Sequence, residues 1–242
     1  TVAVPQVGAP TDNTLVIVTD EEFVMVLGGK GNPTKFQWCS RRDPTDWAPT
    51  EINSAGGNDL KSQGSIVSAK KVQGGILVLT DTDVFIIEYV GPPYYYVPRR
   101  ISDEGGILSK NAIAAIPGGA IWMSSTNFWK YDGNISRLPS TVHNEIFYNG
   151  DLSKPSHVFM GVNDFSQEIW MFYPRQGSNE ANRYVIYSYS QEPWWSIGAM
   201  SRTAWVNPVW SSKPVAVASG GKFFQHELGW LDDGAPRNVF AE

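Results

Sequence analysis

Two glycine pairs, Gly74-Gly75 and Gly118-Gly119, stand 44 residues apart, each between short runs of β-branched and aromatic residues. That recurrence constrains the fold more than any other feature, because a fixed period of 20–50 residues marks repeated supersecondary units. The clearest unit spans residues 111–138. Residues 112–116 read as a strand, Gly118-Gly119 as a turn, 120–123 as a second strand, 128–131 as a third and 135–138 as a fourth. Between them lie Thr126-Asn127 and Asp132-Gly133-Asn134, residues that favour turns because they hydrogen-bond locally or accept positive φ. The unit is a four-stranded meander.

The preceding stretch repeats the plan with strands at 66–72, 76–80, 84–90 and 94–101. A third copy places Asp164-Phe165-Ser166 at the equivalent turn, 46 residues beyond Gly118, with strands at 168–173, 183–189 and 194–197. Residues 15–19, 23–27 and 35–40 read as the later strands of an earlier copy, and 2–7 as its first strand. Residues 203–206, 214–218 and 222–228 open a later copy, closed by 237–241. No stretch keeps a 3.6-residue apolar period over three turns, so helix is expected to be scarce. Small sheets that are apolar on both faces must be covered by neighbours, which is what radially repeated blades achieve. The expected fold is therefore all-β, a β-propeller of about five visible four-stranded blades in a single domain over residues 1–242. A β-sandwich is the alternative.

The composition suits a packed domain: 42% hydrophobic residues against 18% charged, with 10 Trp, 10 Tyr and 11 Phe. A net charge of -5 and the lack of a long basic run argue against sequence-specific DNA binding. Apolar runs such as 76–79 and 84–87 are far shorter than a membrane-spanning helix requires, so no direct membrane insertion is expected. Cys39 is the only cysteine, which rules out an intrachain disulfide and a thiolate zinc cluster. It lies in an alternating strand-like stretch and reads as a buried structural residue.

Candidate chemistry is sparse. His143, His157 and His226 lack a partner at metal-ligand spacing, and no nucleophile elbow or phosphate-binding loop is present. Asp81, Asp83, Asp103, Glu104, Asp164, Glu168 and Glu192 are the carboxylates from which a glycosidase would draw its acid and base. Most sit in or beside predicted turns, where backbone hydrogen bonding accounts for them. Tyr94, Tyr95 and Tyr96, with Trp194 and Trp195, would serve as stacking platforms but more often fill space between sheets. The pairs Arg41-Arg42, Lys70-Lys71 and Arg99-Arg100 read as solvated surface, with phosphate or an acidic subunit as the other possible partner. No catalytic, cofactor-binding or metal-ligating residue is assigned, and the chain is expected not to be an enzyme.

Particular strings go further. Residues 38–49 (WCSRRDPTDWAP), 53–57, 79–82, 89–91, 105–109, 122–123 and 138–139 resemble a family of bacteriophage virion structural proteins. The match is densest at 168–174 (EIWMFYP), 182–187 (NRYVIY), 202–205 (RTAW), 226–229 (HELG) and 232–234. Members of that family resemble tail-tube or nozzle components of short-tailed phages and are typically longer on both sides, which implies that this chain is a segment. The resemblance implies location in the virion tail and copies of the chain packed in a ring. Neighbouring tail or portal-adaptor proteins would flank it, and double-stranded DNA would pass through without sequence-specific binding. The loops at 28–34, 56–64 and 175–182 are the expected subunit contacts. A receptor- or glycan-binding tail propeller is the alternative function.

Overall fold

The computed structural model describes residues 5–29, 31–207, 213–227, 231–232 and 235–236. The chain divides into two compact units, Thr1–Pro139 and Ser140–Glu242. Both are built almost wholly from antiparallel strands.

In the first unit, β1 (Asn13–Val18), β2 (Val24–Gly29), β3 (Lys35–Trp38) and β4 (Gly56–Asp59) form one sheet in sequence order. The second sheet is β5 (Ile66–Val72), β6 (Gly75–Thr80), β7 (Val84–Gly91) and β8 (Tyr95–Ser102). The third is β9 (Ile113–Ile116), β10 (Gly119–Met123), β11 (Phe128–Tyr131) and β12 (Ile135–Leu138). First strands lie side by side, β1 against β5 and β5 against β9. Consecutive meanders whose leading strands meet are the blade arrangement of a propeller. A Greek-key sandwich would need strands that cross between sheets, and every described strand pairs within its own consecutive set.

The second unit begins with a short helix, α1 (His143–Phe147), whose Ile146 is buried, and a 3-10 turn at Pro155–His157. Its four-stranded sheet is β13 (Phe159–Asn163), β14 (Glu168–Tyr173), β15 (Arg183–Ser188) and β16 (Trp194–Ala199). A three-stranded sheet follows, β17 (Ala204–Val206), β18 (Val215–Val217) and β19 (Phe223–Gln225), with β17 beside β13. Leu231–Asp232 (β20) pairs with Ala235–Pro236 (β21).

Burial explains why the sheets stack. The second strands β6, β10 and β14 are buried along nearly their whole length, on both faces. In β6 the period of two splits the load. Ile76 and Val78 join Phe23, Met25, Leu27 and Phe36 of the first sheet in one cluster, while Leu77 and Leu79 are equally buried on the opposite face. A strand of this kind is stable only between two neighbours.

The glycine pairs repeat in geometry as well as in sequence. Gly74 and Gly118 take positive φ, 94° and 81°, in two-residue hairpin turns. Their successors meet the third strand: a Cβ on Gly75 would lie 2.3 Å from the Ile87 carbonyl oxygen, and one on Gly119 1.8 Å from that of Tyr131. Each of these contacts is one residue before the pairs Ile76 with Ile87 and Ala120 with Tyr131. The following turns also match. The Thr80 hydroxyl accepts from the Thr82 and Asp83 amides, and the Ser124 hydroxyl from the Thr126 and Asn127 amides.

Residues 105–108 strap the second sheet to the third. The Gly106 and Ile107 amides donate to the carbonyls of Thr82 and Thr80, the Leu108 amide donates to Met123, and Trp122 Nε1 donates to the Gly105 carbonyl at 2.7 Å. A Cβ on Gly106 would fall 2.1 Å from the Asp81 carbonyl oxygen, so the strap requires glycine there.

The first sheet corrects the sequence reading. Residues 15–19, 23–27 and 35–40 do form strands, but they are the first three of their sheet, and β4 (Gly56–Asp59) is the fourth. Residues 2–4 lie outside the described residues, and 5–7 carry no strand. The segment 56–64, expected as a loop, thus opens with a strand. Its Gly56-Gly57 has no β propensity of its own; Gly56 is there because Trp38 leaves no space for a side chain. Residues 237–241, expected as a closing strand, lie outside the described residues, as does Leu228.

Candidate functional site

A buried polar group that joins two sheets of the first unit is Tyr96, in β8. Its side chain is buried against Phe23, Trp38 and Tyr89, with ring centroids 5.4, 5.2 and 5.4 Å away. Its hydroxyl lies 2.7 Å from Thr19 Oγ1 and donates to Glu21 Oε2 at 3.0 Å. Burial holds the phenol well above its ordinary range, so Tyr96 is a neutral donor. Beside this node a cleft of about 380 Å³ opens between the β1–β2 turn and the β5–β6 turn, lined by Asp20, Glu21, Lys71, Gln73 and Tyr89. Lys71 and Asp20 pair across it at 2.6 Å.

A second cleft, of about 300 Å³, brings Asp81 and Glu104 together with Ser124, Thr126 and Arg137. Asp81 and Glu104 are both among the carboxylates nominated from the sequence. Both are already engaged: Asp81 Oδ1 accepts from the Ser65 amide at 2.8 Å, and Glu104 pairs with Arg137 at 3.1 Å. Arg137 also lies over the Trp129 ring, 5.4 Å from its centroid. Another concavity, about 270 Å³, is an aromatic groove between β4 and the start of β8.

The second unit holds a buried basic pair. Arg202 and His226 are 6% and 5% exposed, and Arg202 Nε donates to His226 Nε2 at 3.2 Å. The acceptor role requires that Nε2 carry no proton. The imidazole packs on Trp205 and Trp170, at 4.7 and 5.6 Å, and the Arg202 guanidinium lies 4.1 Å from the Phe224 ring centroid. Trp170 Nε1 donates to Glu168 Oε2 at 3.0 Å. Burial raises the Glu168 carboxyl, with the Glu227 charge adding to it and the Trp170 bond opposing.

The other nominated residues go to separate places. Asp83 is buried and pairs with Arg100 at 3.2 Å, Asp164 accepts from the Tyr189 hydroxyl at 3.3 Å, and Asp103 and Glu192 are exposed. The His143 ring lies 4.5 Å from that of Phe147, tilted against it, and His157 Nδ1 lies 3.4 Å from Glu180. Among the described residues no three His, Cys, Asp or Glu side chains converge as a metal site.

Cys39 is buried, its sulfur accepts from the Val24 amide, and burial pushes the thiol up. The basic pairs meet carboxylates: Arg41 and Arg42 both reach Glu22, and Arg99 reaches Glu88. Lys70 is half-buried, with its ammonium lowered by burial. Of the aromatic runs, Tyr96 is core, Tyr95 is half-buried and Tyr94 is 72% exposed; Trp194 is exposed, and Trp195 packs on Tyr187 at 4.7 Å.

Thr19, Glu21, Arg202 and Trp205 were not nominated from the sequence as site residues, although 202–205 belongs to a string that carries the resemblance. No periodic or motif signal marks them, because their partners lie between 24 and 77 residues away.

No protein-family model matches the chain, and no curated protein matches it. Among solved structures, a chain from the S. cerevisiae complex of Dbp5 with Nup159, Gle1, IP6 and ADP aligns with 8% identity and a TM-score of 0.51. The alignment covers 89% of this chain and 60% of that one, so this chain spans well under two thirds of its length. The N-terminal domain of Nup159 aligns at 9% identity over 96% of this chain and 66% of that one, with a TM-score of 0.47. The AfRom2 CNH domain aligns at 11% identity over 88% and 79%, with a TM-score of 0.42. Identity this low carries fold alone. The chain is an all-β protein of the propeller class.

Proposed function

We propose that this chain is a non-enzymatic structural component of a bacteriophage virion, a tail nozzle or tube protein that forms an oligomeric ring around the DNA exit channel. The observation that carries the reading is the run of strings resembling phage virion proteins, in order along nearly the whole chain. Those strings coincide with residues that hold the fold. Residues 38–49 form a loop cross-linked by Ser40, Asp46 and Asn53. Residues 105–109 are the strap between sheets, and 168–174 contain the buried strand β14.

The physical properties suit a conduit wall. Strands buried on both faces make each sheet part of a stiff stack, which resists internal pressure without moving parts. A net charge of -5 gives no general attraction to phosphate, so DNA slides past instead of sticking. Neighbouring copies, tail proteins and portal adaptors are the partners this role requires.

The test is assembly and location. The protein, purified at micromolar concentration, forms closed rings in negative-stain images and co-purifies with virions of the phage that encodes it. A protein that stays monomeric and is absent from the mass spectrum of purified virions overturns the reading.

A further inference from the structure

Of the three adjacent tyrosines, two are spent on packing and one is not. Tyr95 has φ +57°, in the left-handed region a side chain of this size rarely enters, and the Tyr96 amide donates to the Tyr94 carbonyl at 2.7 Å. Together these form a tight three-residue turn of the strained kind. The surroundings hold it there. Tyr95 packs on Phe23 at 5.8 Å, and Tyr96 is anchored by Phe23, Trp38, Thr19 and Glu21. The turn drives the third ring outward: Tyr94 is 72% exposed at the rim of the groove that Trp38, Gly57, Asn58, Pro93 and Tyr95 also line.

Three properties of that groove select an occupant. None of the residues lining it carries a charge, whereas the Lys71–Asp20 and Arg137–Glu104 ion pairs line two other clefts of this unit. The Tyr94 and Tyr95 hydroxyls and the Asn58 amide nitrogen make no hydrogen bond among the described residues; the Asn58 oxygen accepts from the Asp59 amide. The volume, about 270 Å³, lies below the range of roughly 300–1,000 Å³ that suits drug-sized ligands. A ring-sized group fits it better than a length of peptide.

We propose that this groove binds a terminal, uncharged sugar ring of a glycan. The apolar face of the pyranose stacks on Tyr94, and its hydroxyls meet the Tyr94 and Tyr95 phenols and the Asn58 amide. The site is independent of the role in a virion ring, because it needs one chain and no assembly.

The experiment is a glycan array probed with the labelled chain, carrying neutral, sialylated and uronic-acid glycans with a proline-rich peptide as a further arm. Solution titration with each neutral glycan retained on the array follows. Tyr94→Ala lowers affinity about tenfold, and because the side chain is exposed, thermal stability stays as in the parent. Asn58→Asp keeps the acceptor for the Asp59 amide, removes the donor and adds a charge, and it also weakens binding. Retention of neutral glycans with both losses supports the site. Binding of acidic glycans alone, of the peptide instead, of no glycan, or binding that neither substitution alters overturns it.

Discussion

The Trp38 indole occupies the space that a side chain on Gly56 would need: an ideal Cβ there falls 2.4 Å from Cζ2 of the ring, across the β3–β4 pair. Trp38 is itself pinned, with Nε1 donating to the Ser54 carbonyl at 2.9 Å and the ring stacked on Phe36. Gly56→Ala is therefore an overpacking substitution, expected to cost about 1–3 kcal/mol. A thermal melt followed by tryptophan fluorescence checks it, and an unchanged midpoint would show that the indole can move.

Gly106→Ala should cost more than Gly56→Ala, because the atom it meets is backbone. The Asp81 carbonyl oxygen, 2.1 Å from the added Cβ, cannot retreat without breaking the Gly106 and Ile107 bonds to Thr82 and Thr80. Hydrogen exchange should rise at the Gly106, Ile107 and Leu108 amides while those of β14 stay protected.

His226→Leu removes the acceptor of a buried guanidinium. A hydrogen bond to a charged group is worth about 1.5–3 kcal/mol, and this variant gives up the one that Arg202 Nε makes to His226 Nε2. His226→Gln offers another acceptor and should recover part of it. Chemical denaturation of the two variants side by side distinguishes this from a packing loss against Trp170 and Trp205, which glutamine would not restore.

Glu168→Gln should stabilise the protein near neutral pH. The folded state raises the Glu168 carboxyl, so it binds a proton more tightly than the unfolded chain. The stability tied to that proton is complete below the ordinary carboxylate range and is lost as pH rises through the folded value. Glutamine keeps an acceptor for Trp170 Nε1 without the charge. Its advantage over the parent should shrink on acidification; an advantage constant with pH would refute the assignment.

The same sign governs the alkaline limb. Tyr173 and Tyr189 are pushed up to about 12, first by burial and then by the nearby carboxylates Glu145 and Asp164. Stability should fall as pH rises above the ordinary phenol value near 10 and continue to fall up to about 12. Ultraviolet titration should show these phenolates appearing late, and Tyr173→Phe should make the fall shallower.

Cys39 supplies a kinetic check on the core. Burial and a raised thiol leave little reactive thiolate, so a disulfide reagent should label it only after denaturant unfolds the first unit. Prompt labelling of the native protein would mean that this part of the sheet opens readily.

The strands with the strongest alternation or apolar runs were legible from residues alone. Ile66–Val72, Phe128–Tyr131 and Ile135–Leu138 form with the bounds the pattern predicts. So were the paired glycine turns, since few other residues take positive φ there at low cost. The fourth strand of the first sheet was not legible, because Gly56-Gly57 carries a turn signal and only the indole of Trp38 explains it. The site was legible in part. The tyrosine run announced an aromatic feature, but which ring faces solvent depends on the turn at Tyr95 and on what anchors Tyr96.

The order of side chains along this chain determined by itself that it would fold as repeated antiparallel meanders, since period-two hydrophobicity and glycine turns act over a few neighbouring residues. Tertiary structure alone decided the partners of Tyr96, Arg202 and Asp81, and so which polar groups are consumed by the fold and which remain available. Those pairings join residues up to 77 apart, and they follow from how strands and sheets come together, a relation that no local pattern encodes.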